Sequence, residues 1–251
     1  MTSLNTVDNG NGQPTLVFLH YFGGSSRTWR FVVDHLAARF RCISVDLPGF
    51  GGSADIAMPD YTVASSAVAF SESLLPLNAG EFLLVAHSMG AKIAVQYAAT
   101  NPAGLISVIL MAPSPPVPEP MNASDRQALK EMYGKPDLIK EHLRKIAHVH
   151  IPDDMLEELL DDNLRANIDA WNSWAEIGSK EDISRLSIQV PVHFIAGEFD
   201  DPLSPEYIQA IAEKFFPGSE VTTIPGAAHL LPIEAPAEVA ALISTLAGIG
   251  K

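Results

Sequence analysis

The stretch LLVAHSMGAK, Leu83 to Lys92, sets a serine between histidine and methionine, with small residues two places away on either side. Leu83–Ala86 has the length and composition of a buried strand, and KIAVQYAAT, Lys92 to Thr100, has the apolar recurrence of a helix. Only Ala86 to Gly90 remain for the turn between them. A strand-to-helix turn that tight strains its central residue and crowds the positions two before and two after it, here Ala86 and Gly90. Ser88 would then stand clear of the sheet, its hydroxyl above the amino end of a helix. The plainer alternative is an ordinary serine N-cap. A serine lifted in this way can do nucleophilic chemistry. Its high pKa makes it a poor nucleophile alone, so it needs a general base, and the base needs a carboxylate to orient it.

The elements that would position such a group alternate along the chain. Thr15–Leu19, Arg41–Asp46, Phe82–Ala86, Ser107–Met111, Val192–Ala196 and Glu220–Ile224 read as strands. Trp29–Arg39, Val63–Pro76, Ala91–Thr100, Pro205–Phe216 and Pro236–Leu246 read as helices. This alternation predicts an α/β fold, a mostly parallel twisted sheet flanked by helices, with ligands bound at the carboxyl ends of its strands. After Ala112 the run PSPPVPEP cannot continue a strand or helix. Helical patterns follow at Ser124–Tyr133, Asp137–Ala147, Asp153–Asn163 and Leu164 to about Gly178, with Pro136 and Pro152 between them. The expected organisation is one discontinuous core, 1–113 and 187–251, with a helical cap at 114–186 inserted before the last strands. Leu4–Val7 can supply a short edge strand, and the first strand of an eight-stranded sheet is expected to be missing.

Composition narrows the function classes. The 251 residues are 47% hydrophobic and 18% charged, as in a folded globular protein. Thirty acidic against sixteen basic residues give a formal charge of −14, a field that repels phosphate backbones and anionic lipid. Neither nucleic acid nor membrane is expected as a partner; a homodimer is left open. The single cysteine, Cys42, lies in an apolar run and reads as a buried structural thiol. MTSLNTVDNGNGQP has no basic segment followed by an apolar core, and no apolar run nears a membrane span, so cytoplasmic residence is the default expectation.

Residues Ala86 to Gly90 resemble the G-x-S-x-G nucleophile elbow of the α/β-hydrolases, with Ala86 in place of the first glycine. The resemblance extends to four further motifs and covers residues 15–112 and 188–246. IPGAAHLLPIEAP resembles the family's histidine loop, including the Glu-x-Pro of Glu234 and Pro236, and makes His229 the base. VHFIAGEFDDPLSP supplies the acid: Asp200 fits the family's spacing from Gly197, Asp201 fits the spacing to Pro205, and Asp200 is favoured. HYFGGSSRTW resembles the oxyanion loop, although Tyr21 stands where glycine is usual. Phe22 keeps the donor position beside Met89, the residue after the nucleophile. DLPGFGGS resembles the loop after the next strand, with Asp46 expected to be structural, as is His20.

The resemblance implies a cofactor-independent serine hydrolase acting on small carboxylic esters through an acyl-enzyme on Ser88. The same triad also serves carbon–carbon bond hydrolases, lactonases and perhydrolases, and a slow receptor-like hydrolase is a further alternative. Tyr21 and Trp174 are expected to contact substrate, Tyr21 as a wall of the pocket in preference to a hydrogen-bond donor. His148-Val149-His150 has ligand-like spacing but no third ligand near it, so no metal site is expected.

Overall fold

The computed structural model describes residues 3–248. Its centre is a seven-stranded sheet in the order β1-β3-β2-β4-β5-β6-β7, with every neighbouring pair parallel except β1 and β3. The strands are β1 (Thr6–Asn9), β2 (Thr15–Leu19), β3 (Cys42–Val45), β4 (Phe82–His87), β5 (Leu105–Met111), β6 (Val192–Gly197) and β7 (Glu220–Ile224). The expected edge strand is present, shifted to Thr6–Asn9, and it pairs antiparallel with β3.

Strands β2, β3 and β4 are buried along their whole length because both faces of the sheet are covered. Their side chains alternate between two apolar cores with the period of two that a strand imposes. Val17, Leu19, Leu84 and Ala86 join one core with Val63 and Phe70 of α2 (Val63–Leu74) and Ile93 of α3 (Met89–Ala98). Leu16, Phe18, Leu83 and Val85 join the other. There they meet Val32 and Leu36 of α1 (Arg30–Leu36) and residues of the C-terminal helix described below. Cys42 lies in this second core, where burial and then the charge of Asp8 push its thiol up to about 12. The outermost strands, β1 and β7, are largely exposed.

Four helices, α4 (Ala123–Met132), α5 (Pro136–Lys145), α6 (Asp153–Arg165) and α7 (Ile168–Glu176), are inserted between β5 and β6. Two boundaries differ from the sequence expectation. Pro136 is the first residue of α5 and not a separator, because a first-turn N–H has no intrahelical acceptor for proline to forfeit. Leu164 belongs to the end of α6, and α7 starts only at Ile168, where the Asn167 side chain accepts from the Asp169 and Ala170 N–H groups. The chain then returns through β6, α8 (Pro205–Phe215) and β7 to α9 (Leu231–Glu234) and α10 (Pro236–Gly248), which adds Val239 and Ile243 to the second core. Residues 1–2 and 249–251 of the anticipated core segments lie outside the described residues.

The insertion is bound to the sheet's carboxyl end by several contacts. Phe22 packs on Trp171 with ring centroids 4.4 Å apart. Asn167 N–H donates to Gly49 O at 2.8 Å, and a Cβ on Gly49, whose φ is +84°, would fall 2.2 Å from the Ala170 Cβ. Arg27 bridges Asp161 and Asp162 of α6, and Arg30 pairs with Glu158. No helix among the described residues is long and apolar enough to cross a membrane.

Candidate active site

The chain leaves β2 towards β3 on one side and returns to β4 on the other, so the loops after β2 and β4 diverge over a crevice at the sheet's switch point. Ser88 sits there, between β4 and α3, with φ +52° and ψ −115°. Such a backbone is strained for any residue carrying a Cβ. It is held by Ser88 N–H donating to Met111 O at 3.0 Å and by Ser114 N–H donating to Ser88 O at 3.1 Å. A Cβ on Gly90 would lie 2.6 Å from His20 O and 3.0 Å from the Leu19 Cβ, so only glycine lets α3 start this close to β2. Ala86, in contrast, points into the apolar core, and its methyl is accommodated. Gly90→Ala is expected to destabilise the protein by about 1–3 kcal/mol through overpacking, read as a lowered denaturant midpoint.

Ser88 Oγ is 3.0 Å from His229 Nε2, and His229 Nδ1 is 2.7 Å from Asp200 Oδ2. The carboxylate can only accept, so Nδ1 carries the proton and Nε2 is free to accept from the serine hydroxyl. Asp200 is buried, while Asp201 is exposed. The structure therefore brings together Ser88, His229 and Asp200, and leaves Asp201 outside. Burial opposes charging His229, but Asp200, through its charge and hydrogen bond, together with Glu119 and Glu234, raises its pKa above 6.5.

The remaining sequence-selected residues surround this chain of hydrogen bonds. Met89 opens α3, so its N–H has no intrahelical acceptor. Phe22 lies in the turn after β2, closed by Gly24 N–H donating to Tyr21 O at 3.1 Å. Met89 and Trp174 line a small apolar cavity with Leu47, Phe50, Val63 and Ile93. Tyr21 is not among its lining residues: the ring is buried against His87, centroids 5.3 Å apart, with its hydroxyl towards Asn163 of α6. Burial pushes that phenol well above its ordinary pKa, so it stays neutral.

His20 is fully buried, donating from Nδ1 to Tyr21 O and accepting the Leu47 N–H at Nε2, which fixes it as a neutral strut. Asp46 accepts from the N–H groups of Ser26 and Gly52 and from Asn5 Nδ2, tying three segments together. The His148 ring stacks on Phe199 at 3.8 Å, and no group of three His, Cys, Asp or Glu suited to a metal occurs among the described residues.

Three contributors carried no sequence signal. His87 is buried beside the nucleophile, and its Nε2–H donates to His229 O at 2.8 Å. Desolvation first, and then its neighbour His229, hold its pKa well below 6.5, so it is a neutral prop. Glu119, on the segment leaving β5, is raised above the usual carboxylate range by burial, against the pull of Ser114, Lys92, His229 and Arg126. Lys92 is fully buried on α3, donates to Val117 O at 3.1 Å, and is lowered by burial to about 8. Side chains that meet only through tertiary contacts leave no spacing to read.

The sequence profile described as "Alpha/beta hydrolase family" matches residues 16–242. A 2-succinyl-6-hydroxy-2,4-cyclohexadiene-1-carboxylate synthase from Enterobacter sp. is 29% identical over 94% of this chain and 92% of its own length. Among solved structures, an esterase from Exiguobacterium antarcticum superposes with a TM-score of 0.87 at 19% identity, covering 97% of this chain and 95% of its own. A thermophilic esterase from Thermogutta terrifontis gives a TM-score of 0.77 at 24% identity, covering 97% and 92%. At these identities the two structural likenesses concern the fold.

Proposed function

The chain belongs to the alpha/beta hydrolase family, and on that footing we propose that it is a serine hydrolase cleaving small carboxylic esters through an acyl-enzyme on Ser88. The observation that carries this reading is the unbroken hydrogen-bond chain from Ser88 Oγ through His229 to buried Asp200. Ser88 Oγ attacks the ester carbonyl carbon as its proton passes to His229 Nε2. The carbonyl π electrons move to oxygen, and the N–H groups of Phe22 and Met89 stabilise the charge. Collapse expels the alkoxide, which takes the proton from His229. Water, deprotonated by the same imidazole, then releases the acid and restores Ser88. Trp174 and the small apolar cavity beside Met89 support a short acyl or alcohol group, and no cofactor enters these steps.

A second reading rests on the Enterobacter synthase, which aligns with 94% of the chain: the same triad turns over a carboxylate-bearing carbon–carbon or lactone substrate. A p-nitrophenyl ester series from acetate to decanoate, run beside the synthase assay of that relative, separates the two. Preference for short esters is the expected result. Product formation in the synthase assay at a higher kcat/KM than any ester overturns ester cleavage as the main activity.

The raised His229 pKa sets a pH dependence. Protonated His229 cannot accept the serine proton, so kcat/KM is expected to rise with pH through a midpoint above 6.5 and to be lost below it. A pH–rate profile on p-nitrophenyl acetate checks this, and a midpoint below 6.5 contradicts it.

A further inference from the structure

We propose that Glu234 is a positioning residue for His229, holding the histidine loop and the inserted helices to one carboxylate. The inference rests on the triad reading above. Oε1 of Glu234 accepts the N–H groups of Ala228 at 3.2 Å and Leu230 at 2.9 Å, the two residues flanking His229. Oε2 accepts from Ala228 at 3.2 Å, and also from His148 at 2.7 Å and Val149 at 3.2 Å, on the connection between α5 and α6. The His229 peptide spans the same seam. Its N–H donates to Ile146 O at 3.0 Å, and its carbonyl accepts from His87. The loop bearing the imidazole is thus fastened to the sheet by His87 and to the insertion by Ile146, and Glu234 adds a second tie from the loop to the insertion.

Both carboxylate oxygens are occupied by donors, which makes the charged form irreplaceable in detail. A glutamine amide keeps one acceptor oxygen and turns its NH2 towards N–H groups that also need an acceptor. Either orientation leaves peptide N–H groups facing a donor, and the loop must shift. Nucleophile activation depends on the 3.0 Å approach of Nε2 to Ser88, so a small displacement is costly in rate. Glu234 also belongs to the charges around His229: Asp200 and Glu119 support the imidazolium with it, while His87 and, on α5, His142 are held below their ordinary pKa by burial and then by His229, and stay neutral.

The experiment compares Glu234→Gln, Glu234→Asp and Ser88→Ala in the full chain by ester kinetics, pH–rate profile and the rate of fluorophosphonate labelling. For Glu234→Gln we expect kcat to fall about tenfold with KM within about twofold, labelling to slow in step, and the acid midpoint to move to lower pH. Glu234→Asp, one methylene shorter but still charged, should lose kcat while keeping its midpoint near the parent's. This second variant carries the test if the glutamine form does not fold. Unchanged kcat and midpoint in Glu234→Gln, with Ser88→Ala inactive, overturn this inference alone. A midpoint that moves as far in Glu234→Asp as in Glu234→Gln also overturns it. Activity retained in Ser88→Ala overturns the triad reading instead.

Discussion

Ser88→Ala is expected to lower ester turnover by about 10⁵–10⁶-fold while leaving the fold and melting temperature essentially unchanged. The size of the loss follows from the site's construction. Without the Ser88 hydroxyl, His229 has nothing to activate at 3.0 Å, and the acyl-enzyme cannot form. What survives is binding and any oxyanion stabilisation, which act on a far weaker attack by water. Stability is preserved because alanine keeps the same Cβ in the same strained backbone, φ +52°, and Ser88 Oγ makes no hydrogen bond beyond that to His229 that the fold relies on. The bonds that hold the turn, to Met111 O and from Ser114 N–H, are backbone bonds and remain. Circular dichroism, thermal unfolding and fluorophosphonate labelling read the three parts separately. Labelling that persists in the mutant would assign the nucleophile to another residue.

The second large effect is expected at the acid. Asp200→Asn should cost about 10⁴-fold in kcat, and Asp201→Asn no more than about twofold. The buried Asp200 carboxylate accepts the Nδ1 proton at 2.7 Å and so keeps Nε2 bare. An amide in its place can present NH2 to Nδ1, which drives the proton to Nε2 and leaves the imidazole unable to accept from serine. It also removes the charge that most strongly favours the imidazolium formed during attack. Asp201 is exposed and only one peptide away, so it makes a sensitive control for the general effect of losing an acid in this loop. Equal losses at both positions would mean that the loop rearranges and that spacing from Gly197 is not what selects the acid.

How far the sequence could be read depended on whether a feature is local. The buried runs of β2 and β4 and the crowded turn around Ser88 are written within ten residues, because one strained angle and one close approach at Gly90 dictate the local types. The choice between Asp200 and Asp201 was left to two competing spacings, and the turn after β6 separates them by sending one side chain inward and its neighbour to solvent. Helix starts were less legible: a proline such as Pro136 serves equally as a stop and as a first helical residue until its backbone is seen. The support beneath the histidine was legible only in part: Glu234 stood out in the Glu-x-Pro of the histidine loop, but the partners it and the histidine reach did not. His87 meets His229 across 142 residues, and Glu234 reaches His148 across 86, with no periodicity linking either pair. The same holds for Tyr21, whose departure from the family pattern was visible but whose burial against His87 was not.

One consequence concerns how motion in this molecule can be watched. Cys42 is the chain's only cysteine, it is fully buried, and it is held as an unreactive thiol by a pKa of about 12. The natural chain is therefore already a clean background for site-directed attachment of a maleimide dye or nitroxide. A thiol introduced on the insertion, for instance Leu138→Cys at an exposed position of α5, would be the sole reactive handle under native conditions. The emission of a dye or the mobility of a nitroxide at such a handle would report changes around the inserted helices without any background mutation in the second core.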